Sequence, residues 1–509
     1  MWIVLPVIAL LLLLFGACYW YSPTLLGGFL REMPLGVSVR GRAEGGSSYS
    51  GRQEGVIPEG GSSRVAIHLS LIKSLRSNLN KCKKKILCHN MTFKGIEVVP
   101  GVLNFDQRGV ICAEKGDVIV TKSKIDPEYL AYLESLGWNF EGCRFLTASV
   151  SPKLSYDSLF YDQKLIAELS ALSSEKYILD TYNLTRSERE FANKIAKNLW
   201  GNSEVAEKYG TKSGFRKLAR ELTMQIPPGF ERVYSTNEII KKCSILFNGG
   251  AKNVVIKIDE GVSGAGASKI SLEEFQKASD KQKCLLAESA LLKVAQAQEN
   301  SGVVVEEWVP DILFSPSLQI NIDQDKKWQV VSSHDQILGG REGWYEGCSY
   351  PARSISSIEY KTLQKDIKNL TERLIEERFF GFLGLDLIKD KKSHYYWVEA
   401  NIRKTGTFYP GLATRKIRKR SSSPLYYFSR DFTVPSLVNG HFKQLRNIFR
   451  DLKYSKTTES GVVIFNTGAL SAVGRFDILC IGNKRSQARS IYYEVLSRVN
   501  QQNLVSSKA

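Results

Sequence analysis

Four polar side chains stand in an apolar stretch that reads G-F-L-G-L-D-L-I and then Y-Y-W-V-E-A-N-I-R. They are Asp386, Glu399, Asn401 and Arg403. The apolar runs Phe382–Ile388 and Tyr395–Ala400 have the length and composition of neighbouring strands. Positions 399 and 401 differ by two, so both side chains leave the same strand face. Two carboxylates and an amide oxygen on paired strands form a hard oxygen cage of the kind Mg²⁺ takes. Arg403 continues on that face and can meet a transferring phosphoryl group. The same four residues would also build a structural ion-pair network. The apolar context, with no other compensating charge in these strands, favours a metal.

Two further stretches carry chemistry of a compatible kind. The first is N-V-V-I-K-I-D-E-G-V-S-G-A-G, where a β-rich run delivers Lys257 and a glycine-rich loop follows at once. Lys257 would place a point charge on a nucleotide phosphate. Gly264 and Gly266, with Gly261, would let backbone N–H groups approach its oxygens. Alone, such a run is as well explained by an ordinary turn, and no Gly-Lys-Ser/Thr follows to make it a Walker loop. The second is G-V-V-V-E-E-W-V-P, a buried strand ending in Glu306 and Glu307. The backbone between Glu306 and Val309 offers the amide and carbonyl that adenine needs; solvated acids at a strand end are the plain alternative.

The elements that must position these residues read as α/β. Asp117–Thr121 is a buried strand, and Asp126–Leu136 has helical apolar spacing. Lys361–Phe379 places Leu363, Ile367, Leu370, Leu374 and Ile375 on one helix face. Strands recur at Asn253–Ile258, Gly302–Val309 and Gln329–Ser332. Gly461–Asn466 and Phe476–Ile481 are strands of a further α/β segment that ends in a helix over Ser486–Val499.

The 509 residues hold 70 Lys and Arg against 52 Asp and Glu, a net charge of +18. Sixteen of those charges lie in two acid-free blocks, Gly61–Lys94 and Arg403–Arg430. Both lie at domain edges, which ranks nucleic-acid binding last. From Trp2 to Tyr21 no residue is charged, long enough for a transmembrane helix. Arg31, Arg40 and Arg42 follow it, so the expected topology is a single-pass membrane anchor with the catalytic body cytoplasmic. Nine scattered cysteines without a Cys-x-x-Cys fit reduced thiols.

Taken in order, Lys257 with its glycine loop, E-E-W-V, G-L-D-L-I and V-E-A-N-I-R resemble the ATP-grasp superfamily. G-T-K-S-G-F-R-K-L-A-R-E-L upstream resembles the opening of its nucleotide fold. The ending N-I-R-K-T-G-T-F-Y-P is similar to that of peptide ligases carrying a pre-ATP-grasp domain, and the resemblance covers about residues 100 to 500. It implies an α/β architecture in which a pre-ATP-grasp α/β domain precedes the ATP-grasp fold. The expected order is a transmembrane anchor (1–24), a flexible tether (25–63), a basic segment with the pre-ATP-grasp domain (64–200), the ATP-grasp domain (201–412), a basic linker (413–430) and a small C-terminal α/β extension (431–505).

The resemblance also implies roles. Lys212 and Lys257 would contact ATP phosphates, and Glu306, Glu307 and Val309 would hold adenine. Asp386, Glu399 and Asn401 would bind two Mg²⁺ ions, with Asp386 standing where many members have Glu. Arg403 would stabilise the transferring phosphoryl group. Gln336 and Arg341 would face the acceptor substrate, unless their stretch is an ordinary surface loop. The implied reaction joins a small-molecule carboxylate and an amine through an acyl phosphate, releasing ADP and phosphate. A homodimer is compatible with the family. The alternative is a membrane-attached ATP-binding protein without ligase activity. A biotin-dependent carboxylase is disfavoured, because no Ala-Met-Lys attachment site occurs.

Overall fold

Short strands with apolar centres carry the first domain, and the inner ones are buried as expected of a parallel sheet. They are β1 (Lys84–Cys88), β2 (Val118–Thr121), β3 (Arg144–Thr147) and β4 (Tyr177–Thr181). The sheet runs in the order β3-β2-β1-β4 with parallel pairing throughout. The computed structural model describes residues 83–91, 100–149, 157–259, 267–297, 302–339, 344–418 and 421–506. The expected anchor, tether and most of the first basic block lie outside these residues. Among the described residues no helix is long and apolar enough to cross a membrane. The helix Pro127–Leu136 follows its sequence signals. Asp126 caps it by accepting the Glu128 N–H at 2.8 Å, proline opens it, and Gly137 ends it at φ 119°.

A second, antiparallel sheet runs β5-β8-β6-β7, from β5 (Gly229–Val233), β6 (Asn253–Ile258), β7 (Ala267–Ser271) and β8 (Val303–Glu307). The third sheet holds β9 (Ile312–Phe314), β10 (Pro316–Ile322), β11 (Trp328–Gly339), β12 (Trp344–Tyr350), β13 (Gly381–Asp390), β14 (Tyr395–Asn401), β15 (Tyr426–Thr433), β16 (Gly461–Phe465) and β17 (Arg475–Gly482). Its order is β14-β13-β10-β11-β12-β15-β17-β16, with β9 pairing β13. The C-terminal strands therefore extend the sheet that carries Asp386, and do not form a separate one. The stretch read as a basic linker holds the end of the helix Phe408–Ile417 and most of β15.

One face of this sheet packs Leu318, Ile320, Leu383, Leu385, Leu387 and Trp397 against Leu363, Ile367, Leu370 and Leu374 of the helix Ser357–Glu376. That helix starts four residues before its expected first residue. Ser356 and Glu359 form a capping box, in which the Glu359 N–H donates to Ser356 Oγ and the Ser356 N–H donates to Glu359 at 2.8 Å. Ser356→Ala is expected to cost about 1 kcal/mol, read as a shift of the urea midpoint.

The second basic block is internally paired. Lys404 is 4% exposed and its ammonium reaches Asp180 and the Thr181 carbonyl. Lys416 pairs with Glu114 at 2.9 Å, Arg418 with Glu459 at 3.0 Å and Arg430 with Glu346 at 2.6 Å. The block therefore ties distant parts of the chain together. Lys404, the residue after Arg403, docks the first domain. Burial opposes the charge on Asp180, yet Lys404 and Lys85 hold its carboxyl below the usual range.

Candidate active site

Alternation along β13 sends Leu383, Leu385 and Leu387 into the helix-facing core and leaves Asp386 on the other face. β14 needs an extra device, because Trp397 is core and Glu399, two residues on, must not be. Pairing steps from Leu387–Trp397 to Asp386–Glu399, so Val398 is an extra residue, a β-bulge. The bulge reverses the alternation. Ala400 and Ile402 then point into the core, while Glu399 and Asn401 share the face of Asp386.

Asp386 stands directly opposite Glu399 on one side and Ser317 on the other. Asn401 Nδ2 donates to Asp386 Oδ2 at 3.0 Å, and Arg403 Nη2 donates to Asn401 Oδ1 at 2.6 Å. Burial, and then the Glu399 carboxylate, push the Asp386 carboxyl up against the pull of Ser317, Arg403 and Asn401. Lys212 Nζ lies 3.8 Å from Glu399 Oε2. The carboxylate pair and the amide oxygen are hard donors, and two acids this close favour a cation between them. These residues fit Mg²⁺ on one condition: Arg403 must release Asn401 Oδ1, the atom a cation would take.

Gly384 lies two residues from Asp386, and its partner across the strands is Asn401. A Cβ there would lie 2.5 Å from Thr405 Cγ2. Thr405 in turn donates to Gln319 at 2.7 Å, so it has little freedom to retreat. Gly384→Ala is expected to cost about 1–3 kcal/mol, measured by thermal melting, and to lower turnover by displacing the loop after Arg403.

The helix Lys212–Glu221 joins this face to the second sheet. Thr211 caps it, and its first amides dock on the end of β6. The Lys212 N–H donates to the Asp259 carbonyl at 3.2 Å, and the Ser213 N–H donates to Asp259 Oδ1 at 2.6 Å. Burial raises the Asp259 carboxyl, and that amide bond and Lys212 draw it back. On β6, Lys257 Nζ lies 2.5 Å from Glu306 Oε1 of the adjacent β8. The other Glu306 oxygen pairs with Arg216, which also holds Glu231 at 2.7 Å and the Pro227 carbonyl at 2.9 Å. Glu306 is 2% exposed, so its carboxylate serves as a buried counter-ion, and adenine would be left with the backbone that follows. The Glu307 N–H donates to the Pro228 carbonyl and the Trp308 N–H to the Asn253 carbonyl. The Val309 amide has no partner among the described residues and is the next one available.

The structure thus brings Lys212, Asp386, Glu399, Asn401 and Arg403 together, and connects them through one helix to Lys257, Glu306, Glu307 and Val309. Gly264, Gly266 and Arg341 lie outside the described residues. Gln336 sits on β11 opposite Cys348. His334, on β11 opposite Ser317, is fully buried and bonded to the Tyr427 hydroxyl at 2.6 Å. Burial pushes it down to about 3, which leaves it a neutral core residue. Sequence reading missed Arg216 and Tyr182. Arg403 lies 5.5 Å from the Tyr182 ring centre, and no short motif marks that tyrosine.

The fold and site define an α/β protein in which a helix supplies Lys212, one antiparallel sheet Lys257, and a second antiparallel sheet an acid–amide–arginine set. The comparisons agree with this class. The family described as "Pre ATP-grasp domain" matches residues 106–196, and "IQCH-like, ATP-grasp" matches residues 203–329. The two matches set a pre-ATP-grasp domain directly ahead of an ATP-grasp nucleotide fold within residues 106–329. It is 24% identical over 313 residues to an L-propargylglycine–L-glutamate ligase of Streptantibioticus cattleyicolor, a match covering 57% of this chain and 63% of that relative. Among solved structures it resembles a biotin carboxylase of Campylobacter jejuni, with a TM-score of 0.54 at 14% identity, over 81% of this chain and 90% of that one. It also resembles an N5-carboxyaminoimidazole synthetase of Staphylococcus aureus complexed with ADP, with a TM-score of 0.50 at 12% identity, over 83% and 98%. At these identities the structural likeness concerns the fold alone.

Proposed function

We propose that the protein is an ATP-dependent carboxylate–amine ligase. The observation that carries this reading is the shared face of Asp386, Glu399, Asn401 and Arg403, with Lys212 beside it and Lys257 on the second sheet. The amino-acid ligase named above supports the same reaction class. A substrate carboxylate attacks the γ-phosphate of ATP, forming an acyl phosphate and ADP. An amine then attacks the acyl carbon, gives up a proton, and phosphate leaves with the bridging oxygen that came from the carboxylate, while the carbonyl oxygen stays in the amide. No protein nucleophile is needed.

Lys212 and Lys257 would hold phosphate oxygens, and Arg403, once swung off Asn401, would meet the transferring group. Asp386, Glu399 and Asn401 would hold Mg²⁺, which when bound supplies neutralisation of phosphate charge. The Val309 amide would fix adenine. The apolar run Trp2–Tyr21 supports attachment to a membrane with the catalytic body on the cytoplasmic side.

The test is ADP release by the purified chain with Mg-ATP against a panel of amino acids and small organic acids, with mass spectrometry of the products. A condensed product formed with ADP is expected. ATP binding without turnover on any pair would favour a nucleotide-binding protein of this fold that lacks ligase activity.

A further inference from the structure

The ligase reading leaves the amine without a seat, and a second polar cluster lies one aromatic ring from Arg403. Asp431 on β15 and Asp477 on β17 stand directly opposite each other across the antiparallel pair. Like charges in that position repel and need a reason to persist. Burial pushes the Asp477 carboxyl up; Arg108 opposes this, Asp431 adds to it, and Arg475 opposes it again. Arg475 pairs with Asp431 at 2.5 Å, and Asn466 Nδ2 donates to Asp477 Oδ2 at 3.1 Å.

Two buried side chains here each keep one polar atom unmet among the described residues, although Arg108 lies over the Phe105, Tyr182 and Tyr409 rings and Asn466 donates to Asp477. Arg108 is 7% exposed, forms no ion pair among the described residues, and its Nε is buried without a hydrogen-bond partner. Asn466 is 1% exposed, and its Oδ1 is likewise without one among the described residues. A buried guanidinium with an unmet donor is costly unless something arrives to meet it.

The cluster connects to the catalytic face. The guanidiniums of Arg108 and Arg403 each lie 5.5 Å from the centre of the Tyr182 ring, so they are no further apart than twice that distance. Tyr345 forms a second link. A Cβ on Gly406, three residues past Arg403, would touch its ring at 3.0 Å. Its hydroxyl is pushed up by burial, then by Cys348, Asp431 and Asp477. Three elements from three parts of the chain thus converge: the 3-10 helix Val102–Cys112, β12, and the β15–β17 pair.

Resting on the ligase reading, we propose that this cluster seats a free α-amino acid as the amine substrate. Asp431 and Asp477 take its ammonium group and Arg108 its carboxylate. Opposite charges on one carbon match an acid pair beside a buried arginine whose Nε has no hydrogen-bond partner among the described residues. The C-terminal strands, which stand apart from the nucleotide chemistry, then have a direct part in choosing the substrate.

Two readouts on Asp477→Asn and Asp431→Asn test this, with the common amino acids as amine probes. Peptide-bond formation requires the seat. Hydroxamate formation from the same acid, ATP and hydroxylamine requires only the acyl phosphate. The KM for the amino acid is expected to rise about ten- to a hundredfold, while hydroxamate formation falls far less. Asp431, about a quarter exposed at 27%, serves as the second variant if Asp477→Asn folds poorly. Equal loss in both readouts, or an unchanged KM in both variants, overturns the seat while the ligase reading stands. A wild-type chain that makes neither peptide nor hydroxamate with any acid overturns both.

Discussion

Glu399→Ala lowers ADP formation by about 10²- to 10³-fold and leaves the fold intact. Glu399 is partly exposed, and its nearest charged neighbours are Lys212 and the opposed carboxylate of Asp386. Removing it relieves a like-charge contact, so the melting temperature stays level or rises. A residue retained only for structure would show the opposite pattern, with lower stability and normal turnover. Asn401→Ala is expected to lose activity to a similar degree. It also costs about 1 kcal/mol, because Asp386 loses a donor and Arg403 an acceptor. ADP formation and thermal melting of both variants decide the matter. Unchanged turnover in both would remove the metal and phosphate roles assigned to this face.

Arg216→Met is expected to destabilise the protein by about 3–5 kcal/mol. Arg216 is 2% exposed and meets Glu306, Glu231 and the Pro227 carbonyl. Its loss leaves Glu306 buried with Lys257 as its one remaining ion-pair partner among the described residues. Adding Glu306→Gln removes the orphaned charge and should recover part of the loss, which the urea midpoints of the single and double variants would show. If the single variant unfolds at the wild-type midpoint, Glu306 is hydrated and is not the dry counter-ion described here. The pair also bears on function, because β8 leads directly into the Val309 amide.

The strands were legible because burial on both faces writes apolar runs into the chain. Asn253–Ile258 has the expected limits, and Tyr395–Ala400 gains one residue, Asn401. The shared face of Glu399 and Asn401 followed from their spacing. The Val398 bulge that turns this face away from the core was not legible, since no glycine or proline marks it. Arg216 escaped because its partner Glu306 lies 90 residues away. The second basic block was misread for the same reason. Counted locally it contains no acid, but Asp180, Glu114, Glu459 and Glu346 reach it from elsewhere in the chain. Local charge counts describe a surface only where the fold leaves the charges on it.

The most direct test of the central claim follows an oxygen atom. An acid substrate labelled with ¹⁸O in its carboxylate is incubated with the chain, Mg-ATP and an amino acid, and the released phosphate is analysed by mass spectrometry. Passage through an acyl phosphate predicts ADP together with phosphate carrying one ¹⁸O. Unlabelled phosphate, or AMP and pyrophosphate as the products, would contradict it.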